Sequence, residues 1–371
     1  MPVQKKAPRR VIRAGRYCSL ILYYVVALAG FSGAAARAQE AWPAWYGWAP
    51  IAAEAAGLDE ARVAAAMRFG RERGGSGILI RGGHKGAGWG DPTRLYDLRS
   101  TTKSFGTILL GLAVQDGLVG YETPVIQYLP ELGARPAANL ITGWLPSITV
   151  GHLVTHTAGF AKSGGSEPLL FPPGTGWFYS DGGPNWLADL LTVRYGLDLG
   201  EVLRARVLAP MGIAAEQVAW RRNRYRDRQL RGLERRDFGS AIWTSVDTLS
   251  RLGLMLQRGG RWDAYQILDP GFVARATAHE PWLAAVACVD PAKCPEVPPT
   301  HSYGSLFWTN NDAHVPGLPP DAYWAAGQHT SFLLVIPSLD IVAARAGWPA
   351  ARGWPPGERD LFYAMIAGAV R

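Results

Sequence analysis

Two apolar runs near the end of the chain, Ser331-Phe-Leu-Leu-Val-Ile336 and Ile341-Val-Ala-Ala-Arg345, are separated only by Pro337-Ser-Leu-Asp340. Such runs joined by a short Pro/Asp turn read as a β-hairpin. A third run, Ile78-Leu79-Ile80, lies near the other end, directly after the break Gly74-Gly75-Ser76-Gly77. Between these runs the apolar spacing is helical. It predicts helices over 51–69, 100–115, 149–156, 184–195, 200–209 and 246–258, and a final one over 357–369. Gly-rich residues 82–90 read as a hairpin turn and 95–98 as a further extended stretch. Strands at both ends with helices between them imply an α+β fold. An antiparallel sheet is assembled from the two termini and flanked by helices, and a mostly helical lobe is inserted. The expected boundaries are 39–98 and 245–371 for the sheet-bearing lobe and 99–244 for the helical lobe.

The first 38 residues do not belong to that fold. A basic stretch (Lys5, Lys6, Arg9, Arg10, Arg13, Arg16) leads into an apolar run from Cys18 to Phe31 and ends in Ala36-Arg37-Ala38. This is the pattern of an export signal cleaved after Ala38. The apolar run is shorter than the ~20 residues of a membrane span, so no stable membrane anchor is expected after cleavage. The segment carries 7 of the 38 Lys+Arg and none of the 30 Asp+Glu. The remainder is 31 positive against 30 negative, so the formal +8 of the whole chain is no argument for a nucleic-acid partner. A periplasmic or secreted location is expected. There Cys288 and Cys294, with five residues between them in a Pro-containing loop, could close a small disulfide, with two unpaired thiols as the alternative.

Ser100-Thr-Thr-Lys103 opens a predicted helix directly after an extended segment. Residues three apart on a helix share a face, so hydroxyl and ammonium are neighbours there. A partly desolvated lysine can have its pKa lowered enough to accept a serine proton, which arginine cannot do. The helix N-terminus adds partial positive charge where an oxyanion would form. Only four lysines (Lys85, Lys103, Lys162, Lys293) follow the signal, in a chain with 32 arginines.

Ser100-Thr-Thr-Lys103-Ser-Phe resembles the first active-site motif of the serine β-lactamase/DD-peptidase-related hydrolases, especially the class C β-lactamase and esterase branch. Ile148 to Gly159 resembles the helix ahead of that family's second motif, and Pro173 to Asp181 resembles its P-G-x-x-x-x-Y-S-N segment. Counting back from Pro337, the third motif falls on Ala325-Ala326-Gly327. The resemblance spans roughly residues 55–370 and implies a β-lactamase/transpeptidase-like fold. It implies Ser100 as nucleophile, with Lys103 and Tyr179 as proton-handling partners. It also implies an oxyanion hole from the backbone N–H groups of Ser100 and Gln328, beside Gly327 and His329.

Two departures bear on chemistry. Asp181 replaces the family's Asn, and an ionised Asp beside Lys103 would hold that lysine charged and shift the base role to Tyr179. Ala325 and Ala326 offer no charge, whereas true β-lactamases carry a Lys or His that grips a substrate carboxylate. An esterase or linear-amide hydrolase acting on a small molecule is therefore expected. The alternatives are a D-amino-acid peptidase or β-lactamase, or a catalytically silent cell-wall-binding or sensor protein on the same scaffold.

No cofactor or metal is called for. His152 and His156 lack the intervening Glu of a zinc helix, no G-x-S-x-G occurs, and residues 82–90 lack the ending of a phosphate loop. Residues 221–236, with eight Arg, read as a solvated loop with local ion pairs or as an anion-binding rim.

Overall fold

The computed structural model describes residues 41–44, 47–292, 294, 302–348, 354–355 and 357–371; the expected export signal lies outside the described residues. The central feature is a six-stranded antiparallel sheet. Its strands are β1 (Ser76–Arg81), β2 (His84–Trp89), β3 (Trp308–Thr309), β4 (Tyr323–Gly327), β5 (Ser331–Ile336) and β6 (Ile341–Ala346). They lie in the order β3-β4-β5-β6-β1-β2, so the first and last parts of the chain meet where β1 pairs β6, Ile78 opposite Ala344. The sheet built from both termini is present as the apolar runs indicated.

Both faces of the sheet are buried, and the alternation shows how. Ile78, Ile80, Leu333, Val335, Val342 and Ala344 face the larger apolar cluster. Leu79, Phe332, Leu334, Ile336, Ile341 and Ala343 face the smaller one. The second face is covered by α1 (Glu60–Glu72) and the C-terminal helix α5 (Glu358–Ala367), which contribute Val63, Met67, Phe362 and Ile366. The first is covered by α4 (Val246–Gln257), with the long α2 (Lys103–Gln115) and α3 (Gly182–Tyr195) in the same cluster. Burial on both faces explains why β5 and β6 read as continuous apolar runs rather than alternating ones.

Three local expectations need correction. The first helix begins at Glu60, not at residue 51. Gly57 is left-handed (φ +68°) and closes a separate turn, and Asp59 caps α1 by accepting the Arg62 N–H at 2.9 Å. The glycine-rich stretch turns only at Gly82-Gly83; His84–Trp89 pairs with β1 as an edge strand. Glycine suits that strand at Gly88, where a Cβ would come within 2.8 Å of the Gly77 carbonyl on β1. The helix predicted from Ser100 begins with a 3₁₀ turn, Arg99–Thr102, that runs into α2.

The arginine-rich stretch is solvated only in part: Arg222, Arg224, Arg228 and Arg231 are exposed, with Arg222 pairing Glu234 at 3.3 Å, while other arginines turn inward. Asp189, fully buried in α3, receives Arg226 Nη1 at 2.7 Å and Arg235 Nη2 at 2.5 Å, and Arg236 pairs Asp198 at 2.6 Å. Arg226 and Arg235 strap the stretch onto α3, and Arg236 ties it to the segment that follows that helix. Cys288 and Cys294 are joined by a disulfide. None of the described helices is long and apolar enough to cross a membrane.

Candidate active site

Ser100 sits on the 3₁₀ turn between the short strand Tyr96–Asp97 and α2, against the end of β4. The turn is held there by Thr101, whose hydroxyl donates to the Ser331 carbonyl at 3.0 Å. Gly327 lies against the same turn. A Cβ on it would meet Leu98 O at 2.3 Å and Thr101 Oγ1 at 2.9 Å, so only glycine lets the strand end approach Ser100 this closely. Gln328 follows, exposed, in the next turn. His329 and Thr330 are left-handed, with φ +61° and +57°. That conformation is held by Arg345, fully buried on β6, whose Nη1 donates to the His329 carbonyl. The His329 ring packs on Trp348, with centroids 3.8 Å apart.

Lys103 lies in the first turn of α2 with its side chain buried. Its Nζ donates to Ser100 Oγ at 3.2 Å, Asp181 Oδ1 at 2.5 Å and the Gly239 carbonyl at 2.9 Å. Tyr179 stands beside it, Lys103 Nζ lying 4.9 Å from the ring centroid. The phenol ring is wedged between His156, at 4.6 Å, and Trp308, stacked at 6.0 Å. Its backbone N–H donates to Asp290 Oδ2 at 3.1 Å, within the loop that the Cys288–Cys294 disulfide closes. Folding thus brings Ser100, Lys103, Tyr179 and Asp181 into one cluster beside Gly327, while the His329 ring is engaged by Trp348.

The electrostatics of the cluster follow from burial and pairing. Burial pushes Lys103 toward its neutral form, but the charges and hydrogen bonds of Asp181 and Tyr179 outweigh it, and the ammonium is held above its ordinary range. Burial alone would raise Asp181, yet Lys103 and Lys162 hold its carboxyl below the usual range. His156 is driven well below its usual value by burial and by the two lysines. The carboxyl of Glu167, buried behind Asp181 and Gly182, is raised by burial to about 7 despite Arg226.

The sequence reading passed over several of these groups. Lys162 reaches Asp181 Oδ2 at 3.3 Å and the Tyr179 ring at 4.4 Å; its rarity as one of four lysines was the one available signal. Asn185 accepts from the Gly239 N–H at 2.9 Å and donates to Gly164 O at 3.2 Å, tying three segments together around Lys103. His156 Nε2 and the Tyr303 hydroxyl lie 3.0 Å apart. Among the described residues no three His, Cys, Asp or Glu side chains converge as a metal set.

The site thus joins a serine and a buried lysine at the start of a helix, a tyrosine from a second element and a glycine-ended strand. The chain belongs to the Beta-lactamase family, whose model matches residues 60–346. It is 30% identical over 149 residues to Monacolin J acid methylbutanoyltransferase of Aspergillus terreus, 31% of this chain and 36% of that one. It is 27% identical over 166 residues to Lovastatin esterase of Penicillium rubens, 34% of this chain and 41% of that one. The chain thus spans well under half the length of these curated relatives. The fold is also that of a solved beta-lactamase from Mycobacterium bovis, with TM-score 0.60 and 23% identity, covering 82% of this chain and 97% of the other.

Proposed function

We propose that this chain is an exported serine hydrolase that cleaves carboxylic esters, and short linear amides by the same route, through an acyl-enzyme on Ser100. The observation that carries the reading is the 3.2 Å contact of Lys103 Nζ with Ser100 Oγ, made by an ammonium that Asp181 holds at 2.5 Å. A lysine so paired keeps its proton and serves as an electrostatic anchor. The proton of Ser100 then passes to the Tyr179 oxygen as Oγ bonds to the substrate carbonyl carbon. The oxyanion is received by the N–H groups of Ser100 and Gln328. Tyr179 returns the proton to the departing alcohol or amine, and water repeats the sequence to release the acid.

Ester over amide is favoured by what the relatives' names describe, an esterase and an acyl transferase. A dedicated β-lactamase is disfavoured because Ala325 and Ala326 bring no cation to β4. Export is supported by the basic–apolar–Ala36-Arg-Ala38 segment and by the disulfide. We assign the catalytic domain to residues 39–371, with the helical lobe at about 99–244.

The test is intact-protein mass after a fluorophosphonate probe, with hydrolysis of p-nitrophenyl butyrate, for wild type and Ser100→Ala. A single adduct and turnover that both vanish in the variant support the reading. A folded wild type with neither sinks it in favour of a binding role.

A further inference from the structure

Two cations face Tyr179. Lys103 Nζ lies 4.9 Å from the ring centroid and Lys162 Nζ 4.4 Å, and Asp181 bridges the two lysines through its two oxygens, at 2.5 and 3.3 Å. Two positive charges against one negative leave a net positive charge beside the phenol. Lys162 is built into this arrangement. Its carbonyl accepts the Asp181 N–H at 3.1 Å, and the preceding carbonyl, of Ala161, accepts from Ser180 Oγ at 2.6 Å. Two residues on, Asn185 holds Gly164 O at 3.2 Å. The backbone bearing Lys162 is thus hydrogen-bonded to the segment that bears Tyr179. Strand β4, the other edge of the site, brings Ala325, Ala326 and Gly327 and no charge.

We propose, on the serine-hydrolase reading above, that Lys162 is a positioning residue: it supplies the second cation that keeps the Tyr179 oxygen poised to receive the Ser100 proton. Lys103 hydrogen-bonds the Tyr179 side chain, but it shares its charge with Asp181, its 2.5 Å partner. Adding Lys162 restores an excess of positive charge where the proton is handed over. The other ionisable groups packed around the cluster do not replace it. His156 is kept neutral by burial and the lysines, and Tyr303 is raised well above its ordinary value by burial and by Tyr179. Asp290 is engaged by the Tyr179 N–H, while Glu167 and Asp237 are carboxyls on the far side of Asp181, both raised by burial. Glu167 is the one that titrates near neutrality, at about 7, so Glu167→Gln serves as the control background.

The experiment compares the full chain with Lys162→Met and Lys162→Arg, alone and with Glu167→Gln. It measures the rate of fluorophosphonate labelling at Ser100 and kcat and KM for p-nitrophenyl butyrate across the pH range. Expected for Lys162→Met is a fall in kcat of roughly 10- to 100-fold, a KM within about twofold, and an acidic limb moved up by roughly one pH unit. Lys162→Arg recovers most of the loss, and the shift persists with Glu167→Gln. Wild-type labelling and limb in Lys162→Met overturn the inference. So does a pH-independent loss that Arg does not rescue, which marks a merely structural lysine. A defect confined to KM for a carboxylate-bearing ester also overturns it, making Lys162 a substrate clamp. A wild type that fails to label at Ser100 is a separate result: it overturns the nucleophile itself and the inference with it.

Discussion

Asp181 Oδ1 lies 2.5 Å from Lys103 Nζ, and this contact settles which group of the site keeps its proton. The lysine side chain is 2% exposed, an environment that by itself favours the neutral amine. The carboxylate reverses that preference, and the ammonium remains charged. The resembling enzymes carry Asn here, and on the proposed mechanism the carboxylate moves the base role toward Tyr179.

Asp181→Asn should therefore change both stability and the identity of the base. The Asp181 carboxyl is depressed, so its contribution is present above the ordinary carboxylate range and is lost as pH falls through its lowered value. Lys103 is raised, so its contribution is present below the ordinary lysine range and is lost as pH rises through its raised value. Wild type should exceed the variant by about 1–3 kcal/mol at neutral pH, the gap closing in strong acid, as read by urea unfolding at several pH values. Without the carboxylate, burial moves Lys103 toward neutral. An equal gap at all pH values would show that the pair does not control the charge.

Tyr179→Phe keeps the ring between His156 and Trp308 and removes only the hydroxyl. The expected outcome is a loss in kcat on the order of 10²- to 10⁴-fold with little change in melting temperature. A Phe variant within about twofold of wild type would remove Tyr179 from the proton pathway.

Gly327→Ala places a methyl 2.3 Å from Leu98 O and 3.0 Å from Thr101 N, so either β4 or the Ser100 turn must move. The cost is about 1–3 kcal/mol of stability, with a larger fractional loss of acylation rate, because the displaced turn carries the nucleophile. Thermal melts and fluorophosphonate labelling separate the two effects. A fully labelled, merely less stable variant would show that Gly327 is needed for packing alone.

Glu167 is 1% exposed and meets its cation, Arg226 Nη2, only at 3.5 Å. Burial raises it to about 7, so the folded state binds its proton more tightly than the unfolded state does. Its contribution is fully present below the ordinary carboxylate value and is lost as pH rises through about 7. Glu167→Gln should remove that slope and leave the variant more stable than wild type by about 1–3 kcal/mol near pH 8. Parallel stability curves for the two proteins would contradict the assignment.

Much of the fold was legible because it is encoded locally. The hairpin Ser331–Arg345 and the run Ile78–Ile80 carry their own apolar pattern, and Ser100 and Lys103 are three residues apart, so a single turn places them together. Local signals failed where a neighbour in space overrode them. Gly57 and Asp59 cut the first helix short, and pairing with β1 made a strand of the glycines that read as a turn.

Residues 221–236 show the same limit: eight arginines look solvated in sequence, yet a buried aspartate in α3 pulls Arg226 and Arg235 inward. By itself, then, the sequence determined the sheet built from both termini, the Ser100–Lys103 turn and the family resemblance. Only the tertiary structure decided that Asp181 keeps Lys103 charged, that Lys162 stands over Tyr179, and that Glu167 lies buried beside Arg226. These depend on groups 59–78 positions from Lys103, whose charge states are set by burial and by which partners the fold brings within hydrogen-bonding reach.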